Sequence, residues 1–365
     1  MKIYLDNAAS TQLDRDVYNT MMPYLLDQYG IPSAAHGYGR DAKTAIEINR
    51  AVVAKLLNAL PEEIVFTGGG SAANSLAIHS AVSNAYVDHV ITTRFEHPSV
   101  LDTLKFLRNK HDIRISYIKH DEKGNLDHHH LEYLVRTNPQ NLVSVMHGNY
   151  QIGNLNDITA IAAVCEKYKA LFHTDAAQTL GHYRYDLREV RVNFLAASAH
   201  KLHGPQGVGL LYCRKGTRLI PSNLSGGENI AGIIGLAKAL TIAGQGMESN
   251  EKHLLTLKER LVYRLSLLVP GVRFNGNSPL AEKSISPILS VTFPPSRGGR
   301  GILQYLIDHQ IAVSGADGSG FPNFKVPVSD SGSEIVRFSF SKFNTLQEID
   351  HVAEVIASVY QTAAA

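Results

Sequence analysis

The sequence predicts an α/β protein, with a large domain on a mainly parallel sheet and a smaller α+β domain beside it. Three observations carry this. The chain has 365 residues, a length that suggests two domains or one large domain with a satellite. From about residue 43 to 240, helical and strand patterns alternate, which argues for parallel strands covered by helices on both faces. After Gly227 the alternation stops and a different pattern begins. We place the large domain at 13–243 and the small domain at 1–12 together with 244–365.

Taken in order, Lys43 to Leu60 carries Ile46, Val52, Val53, Leu56, Leu57 and Leu60 near helical spacing and stops at Pro61. Glu63 to Thr67 reads as a strand and Ser71 to Val82 as the helix after it. Further strands are expected at His89–Thr93, Ile113–Ile118, Leu142–Met146, Ala170–His173, Phe194–Ala197 and Gly207–Cys213. Helices are expected at Ser99–Lys110, His129–Arg136, Asp157–Lys169 and 186–190. In the second part, one long helical stretch runs from Ile230 to Leu268. Strands follow at Ile288–Phe293, Ile311–Val313 and Glu334–Phe340. Gly315 to Gly332, rich in Gly, Ser, Asp and Pro, reads as a loop. Asp127-His-His-His130 reads as a solvated helix start, because adjacent residues do not share a helix face; metal binding is the alternative.

Composition narrows the function. Apolar residues make up 44% of the chain, enough for a sizeable core, and charged residues make up 19% with a formal net charge of +2. That balance gives no electrostatic case for nucleic acid or an anionic membrane. No apolar run approaches the roughly 20 residues of a membrane span, and the start MKIYLDNAAS lacks a secretory apolar stretch, so a cytoplasmic location is expected. The two cysteines, Cys165 and Cys213, stand in no metal or redox spacing and read as core residues.

Candidate chemistry falls at successive strand ends, where open parallel sheets bind their ligands. Thr67-Gly-Gly-Gly-Ser-Ala-Ala-Asn74 leads into a helix; it reads as a phosphate cradle or as a tight strand-to-helix turn. It also fits the dinucleotide pattern G-x-G-x-x-A, with Asp88 20 residues after Gly68. Asp88, however, precedes its strand, whereas a ribose-binding acid should follow it. His97 is a loop histidine or a ring that stacks on a cofactor. Asp175 caps a helix or pairs with a protonated ring nitrogen, and Gln178 is placed to meet a substituent of the same ring.

Lys201, in Ser198-Ala-His-Lys-Leu-His-Gly-Pro-Gln-Gly207, stands 26 residues after Asp175 at another strand end. An amine attacks only when neutral, and burial or neighbouring cations lower its pKa to permit that. Ser198 and His200 can donate to a phosphate. A phosphate cradle, a stacking ring, an acid for a ring nitrogen and a Schiff-base lysine together match what pyridoxal 5'-phosphate requires of a protein.

At this point the sequence resembles the cysteine desulfurases of the class V aminotransferase family, which have the fold type I architecture of pyridoxal phosphate enzymes. The resemblance rests on Tyr4-Leu-Asp-Asn-Ala-Ala-Ser10, Pro32-Ser-Ala-Ala-His36, Phe66 to Ser71, Glu96-His97, Met146-His147, Ile152-Gly153, Phe172 to Gln178, Ser198 to Lys201, Gly204 to Gly207 and Val336-Arg-Phe-Ser339. It implies that Gly70, Ser71, Ser198 and His200 hold the phosphate and that His97 stacks on the ring. It implies further that Asp175 pairs with the ring nitrogen, Gln178 meets the ring hydroxyl and Lys201 forms the Schiff base. Lys201 and His97 are then the catalytic residues. Arg337 would grip the substrate carboxylate, with Asn7 and Tyr150 also at the substrate; on its residues alone, Arg337 reads equally as a structural ion pair. A homodimer is implied as well.

The departures shape the functional expectation. The family's mobile loop carries a cysteine that takes the substrate sulfur, but Val313-Ser-Gly-Ala-Asp-Gly-Ser-Gly320 has none, and a hydroxyl such as that of Ser319 cannot form a persulfide. Tyr150 replaces an asparagine, Ser71 a threonine and Ala72 an acid. The loop that lends a threonine to the partner subunit is contracted to Ser225-Gly-Gly-Glu-Asn229. The expected activity is desulfurase-like chemistry on cysteine or a related amino acid through an external aldimine, without a persulfide-carrying cysteine of the chain's own. Sulfur would then pass to an external thiol or an acceptor protein. A β-lyase, an aminotransferase-type enzyme and a non-catalytic homologue are the alternatives. No metal, nucleic acid or membrane partner is expected.

Overall fold

A computed structural model describes residues 2–84, 87–138, 140–220, 228–296, 301–315 and 332–360. The first part of the chain runs β1 (Ile3–Tyr4), α1 (Arg15–Leu26), α2 (Gly37–Leu56), β2 (Ile64–Thr67), α3 (Gly70–Asn84), β3 (His89–Thr92), α4 (Pro98–His111) and β4 (Arg114–Tyr117). It continues through α5 (His128–Thr137), β5 (Asn141–Ser144), α6 (Ile158–Lys167), β6 (Leu171–Asp175), β7 (Phe194–Ser198) and β8 (Gly209–Cys213). The remainder is α7 (Ile230–Gln245), α8 (Met247–Leu268), β9 (Arg273–Phe274), β10 (Ile288–Phe293), α9 (Ile302–Asp308), β11 (Ile311–Ala312), β12 (Ser314–Gly315), β13 (Glu334–Ser339) and α10 (Leu346–Tyr360).

The large sheet has the order β2-β8-β7-β6-β5-β3-β4 among the described residues. Its strands pair in parallel from β4 through β7, and β8 alone runs against its neighbours. Neighbouring strand residues point to opposite faces, and both faces are apolar. Ile91, Val143, Leu195 and Leu210 face a core shared with α2, α6 and α7. Val90, Leu142, Phe194 and Leu211 face a second core with α3 and α4. This double burial is why the strands are unbroken apolar runs. A third core joins Ile3 and Leu5 to α8, α10, β10 and β13. There β10 lies antiparallel to both β9 and β13, and β1 pairs in parallel with β11.

The structure corrects the sequence reading in two places. Residues 186–190 form a single turn rather than a helix: Val190 N donates to Asp186 O, while Asp186 Oδ1 takes the amides of Arg188 and Glu189. A side chain that satisfies the local amides competes with helix extension. The stretch from Ile230 to Leu268 is two helices, not one, bent by 75° at Gly246. Gly246 N closes α7 on Ile242 O, and Gly246 O receives Asn250 N of α8. The strand expected at Ile311–Val313 is present as β11, paired with β1, and a further short strand, β12, follows it and pairs with β13. Most of the expected 315–332 loop, with Ser319, and most of the contracted 225–229 loop lie outside the described residues. Among the described residues, no single helix is long and apolar enough to cross a membrane.

Candidate active site

The carboxyl ends of β2, β3, β5, β6 and β7 converge on a cavity of about 660 Å³. Gly70, Ser71, His97, Tyr150, Asp175, Gln178, Ser198, His200, Lys201 and Arg337 all line it. Asn7 does not. Its Nδ2 donates to Ser339 O at 2.8 Å, which turns the amide toward β13 and onto a smaller cavity of about 40 Å³ on the other side of Lys201.

One end of the cavity is built to receive an anion. Gly70 opens α3, and its N–H donates to Ser198 Oγ at 2.7 Å. A helix's first amides have no partners within the helix, and its dipole is positive at that end. A Cβ on Gly70 would lie 2.6 Å from Ser198 Oγ, and one on Gly209 would lie 2.5 Å from Ala197 O, so glycine lets the turn close onto β7 and β8. Gly69, at φ 144°, takes a conformation that side chains rarely allow. Ser198 accepts from Gly70 and keeps its own proton free to donate outward. His200 and Ser71 stand at the same end.

The floor carries a carboxylate. Asp175, at the end of β6, is 7% exposed. Its Oδ1 accepts from Ala177 N at 2.9 Å and its Oδ2 from Asn74 Nδ2 at 2.7 Å. His97 caps α4, with Nδ1 accepting from Ser99 N at 3.2 Å. Its ring centroid lies 5.5 Å from that of Tyr150. Burial lowers the His97 pKa, and a ring nitrogen that accepts an amide proton leaves Nε2 as the protonated one.

Lys201 ends the short turn after β7. Its Nζ donates to Ala8 O and, at 2.8 Å, to Ala9 O. Burial, followed by the Arg337 guanidinium, pulls its pKa down to about 8. Arg337 reaches across from β13, so the cavity lies between the cores. Its Nη1 donates to Tyr150 O at 2.9 Å; its Nη2 donates to Asp6 Oδ1 at 2.8 Å and to Ser314 Oγ at 2.9 Å. Gln178 Nε2 donates to Ala8 O at 2.9 Å.

Sequence reasoning missed four polar residues here: Asp6, Asn74, Glu96 as a buried acid, and His173. Glu96 Oε1 accepts from Thr93 Oγ1 and Met146 N, Oε2 has no partner among the described residues, and burial pushes the carboxyl up to about 8. The available signal was polar residues within small or apolar runs, Asn74 among alanines and His173 in Leu171–Asp175. Both cysteines are buried away from the cavity, and burial pushes each thiol up to about 12.

The sequence model of the class-V aminotransferase family matches residues 3–352. A protein of Clostridium botulinum named cysteine desulfurase IscS is 31% identical over 379 residues, covering 98% of this chain and 94% of that protein. One of the same name from Dictyoglomus turgidum is 37% identical over 286 residues, 75% of this chain and 72% of its own length. A solved structure titled NifS-like protein superposes with a TM-score of 0.90 at 31% identity, covering 98% of this chain and 99% of the other.

Proposed function

This chain belongs to the class-V aminotransferase family, and from that premise we propose that it is a pyridoxal 5'-phosphate enzyme of the cysteine-desulfurase type. The observation that carries the reading is the charge map of one cavity: an anion cradle at the start of α3, a buried carboxylate at Asp175 and a buried amine at Lys201 all line it. Pyridoxal phosphate has the three matching features, namely a phosphate, a basic ring nitrogen and an aldehyde. When bound, it supplies an electron sink for carbanion chemistry at an amino acid's Cα.

The chain's own residues then have distinct tasks. The first amides of α3, with Ser71, Ser198 and His200, hold the phosphate. Asp175 keeps the ring nitrogen protonated, Gln178 meets the ring hydroxyl, and His97 covers the ring face. Lys201 Nζ, with its pKa pulled down to about 8, would hold the cofactor at its aldehyde end and, being neutral often enough near neutral pH, can accept a proton from the substrate's Cα. Arg337 binds the substrate carboxylate by exchanging its contact with Asp6, and Tyr150 forms the wall beside it. Asn7 supports this end through Ser339 and Asn344.

The chain's only two cysteines are buried elsewhere, so no thiol of its own receives sulfur from the substrate. An external thiol or an acceptor protein takes that role. We place the enzyme in the cytoplasm, as two domains divided at 13–243 against 1–12 and 244–365. We also propose a homodimer. The support is a run of exposed apolar residues from the end of α1, through the segment that follows it, to the start of α2, including Leu25, Leu26, Tyr29, Ile31 and Tyr38, with the Tyr29 and Tyr38 rings stacked at 5.6 Å.

The test is a visible spectrum of the purified chain before and after borohydride, repeated on Lys201→Ala. The expected result is a coloured protein that reduction labels at position 201 and a Lys201→Ala variant that escapes labelling. Cysteine is then added with and without dithiothreitol. Alanine with sulfide that depends on the added thiol supports the desulfurase reading. Pyruvate, ammonia and sulfide would assign β-elimination instead. A persulfide trapped on this chain would refute the absence of an internal acceptor.

A further inference from the structure

A line of buried side chains runs from Asp175 back into the sheet, and the assignments above leave most of it without a task. Asn74, in the second turn of α3, donates from Nδ2 to Asp175 Oδ2 at 2.7 Å and to Ser99 Oγ at 3.0 Å. Its Oδ1 meets His173 Nε2 at 3.1 Å, and His173 Nδ1 meets Ser144 Oγ at 2.8 Å. Asn74, His173 and Ser144 are all buried.

Hydrogen-bond polarity fixes every proton in this line. A carboxylate only accepts, so Asn74 must turn Nδ2 toward Asp175, which leaves Oδ1 for His173. An amide oxygen only accepts, so His173 carries its proton on Nε2. Burial brings the imidazole down to about 4, so it stays neutral and Nδ1 accepts from the Ser144 hydroxyl. Remove the His173 donor and Asn74 Oδ1 is left buried without a partner, so Asp175 and Ser99 alone hold the amide.

We propose that Asn74 and His173 are positioning residues that act through Asp175 to set how firmly the cofactor's ring nitrogen holds its proton. This rests on the pyridoxal phosphate reading. Both Asp175 oxygens accept from neutral N–H donors. Each such donor favours the ionised carboxylate, and an ionised carboxylate favours a protonated ring nitrogen. His173 orients Asn74, and Asn74 orients and stabilises Asp175. The other titratable groups that act on or respond to Asp175 are Glu96 and His97 from the β3–α4 turn, Tyr150 after β5, Tyr185 after β6, and Lys201 after β7. All of them remain in the variants below, so a shift between variants reports on the Asn74 line.

The experiment uses the holoprotein. It follows the absorption band of bound pyridoxal phosphate across the neutral and alkaline range, together with the rate of cofactor release. In Asn74→Leu, Asp175 loses an N–H donor. Release should be roughly tenfold to a hundredfold faster, the range for one hydrogen bond to a charged group. The ring-nitrogen transition should move to lower pH by about one unit. His173→Phe should move both readouts in the same direction. His173→Gln, which can again present an N–H to Asn74 Oδ1, should restore them toward wild type. The double variant Asn74→Leu/His173→Phe should be no worse than Asn74→Leu alone, because both act on one line.

If Asn74→Leu does not fold, Asn74→Ala replaces it. That variant removes the same N–H from Asp175 and should move both readouts in the same direction. Wild-type release and pH profiles in Asn74→Leu and His173→Phe would overturn the proposal, and so would additive effects in the double variant. A wild-type chain that binds no pyridoxal phosphate would sink the earlier reading instead. In that case the line is tested by nitrogen NMR of the ligand-free chain, where His173 should be the neutral Nε2–H form and should lose that preference in Asn74→Leu. A His173 tautomer unchanged by Asn74→Leu would reject the line itself.

Discussion

At the residue scale, Lys201 sits between opposing influences, and pH separates them. Burial and Arg337 lower its pKa, while Asp175 and Asp6 raise it. Uptake of pyridoxal phosphate by the cofactor-free chain needs the neutral amine, so it should accelerate with rising pH and level off above about 8. Arg337→Ala removes a cation, raises the Lys201 pKa and moves the midpoint up. Asp6→Asn removes an anion and moves it down. Rapid-mixing absorbance reads both, and midpoints that stay fixed or move together would reject the assignment. The setting of Lys201 was legible because Ser198, His200 and Gly204 are its chain neighbours. The Asn74–Asp175 contact was not, since it joins residues 101 apart and exists only once β6 and α3 pack together. Arg337 pairs with Asp6, as its reading as an ion pair expects, and it also lines the cavity.

At the element scale, the strand-to-helix alternation was legible because double burial writes an apolar run at every strand. Helix ends were less so. Nothing in apolar periodicity marks the bend at Gly246, because α7 is buried on nearly every side and carries its pattern smoothly into α8. The turn at 186–190 escaped for a related reason: Asp186 satisfies its own amides, a choice that helical spacing does not record. The cradle shows how an element is tuned. In Gly70→Ala, the new Cβ meets only the Ser198 hydroxyl, which can rotate away and so lose the Gly70 N–H. The helix itself accepts alanine readily. This variant should keep its melting temperature and bind pyridoxal phosphate roughly tenfold more weakly, consistent with one lost hydrogen bond to a charged group. In Gly209→Ala, the Cβ meets the backbone of Ala197 and Gly69, which cannot step aside. That variant should lose thermal stability first. Thermal melts and cofactor titrations of the pair check the contrast, and equal melting temperatures would refute it.

At the scale of the whole molecule, one core alone cannot make the site. Lys201 and Asp175 belong to the large sheet, while Arg337 extends from β13 of the small one and is held by Asp6 beside β1. In the smaller sheet β10 and β13 were foreseen as strands and β9 was not, and the return of the N-terminal strand to pair with β11, more than 300 residues later, is invisible to any local pattern. The same limit applies to surfaces. Leu25, Leu26, Tyr29 and Ile31 would be ordinary core residues by composition, yet they are 56–69% exposed. Leaving so much apolar area in water disfavours the lone chain by roughly 25 cal/mol for each Å² that a partner could cover. A second copy is the partner we assign to it. Leu26→Asp combined with Tyr29→Ser removes the two most exposed side chains of that run and places a charge where the copies would meet. The doubly substituted chain should sediment at half the mass of wild type with an unchanged circular dichroism spectrum. A wild-type chain that sediments as a monomer, or a variant that keeps the wild-type mass, would show that α1 and α2 do not form the contact.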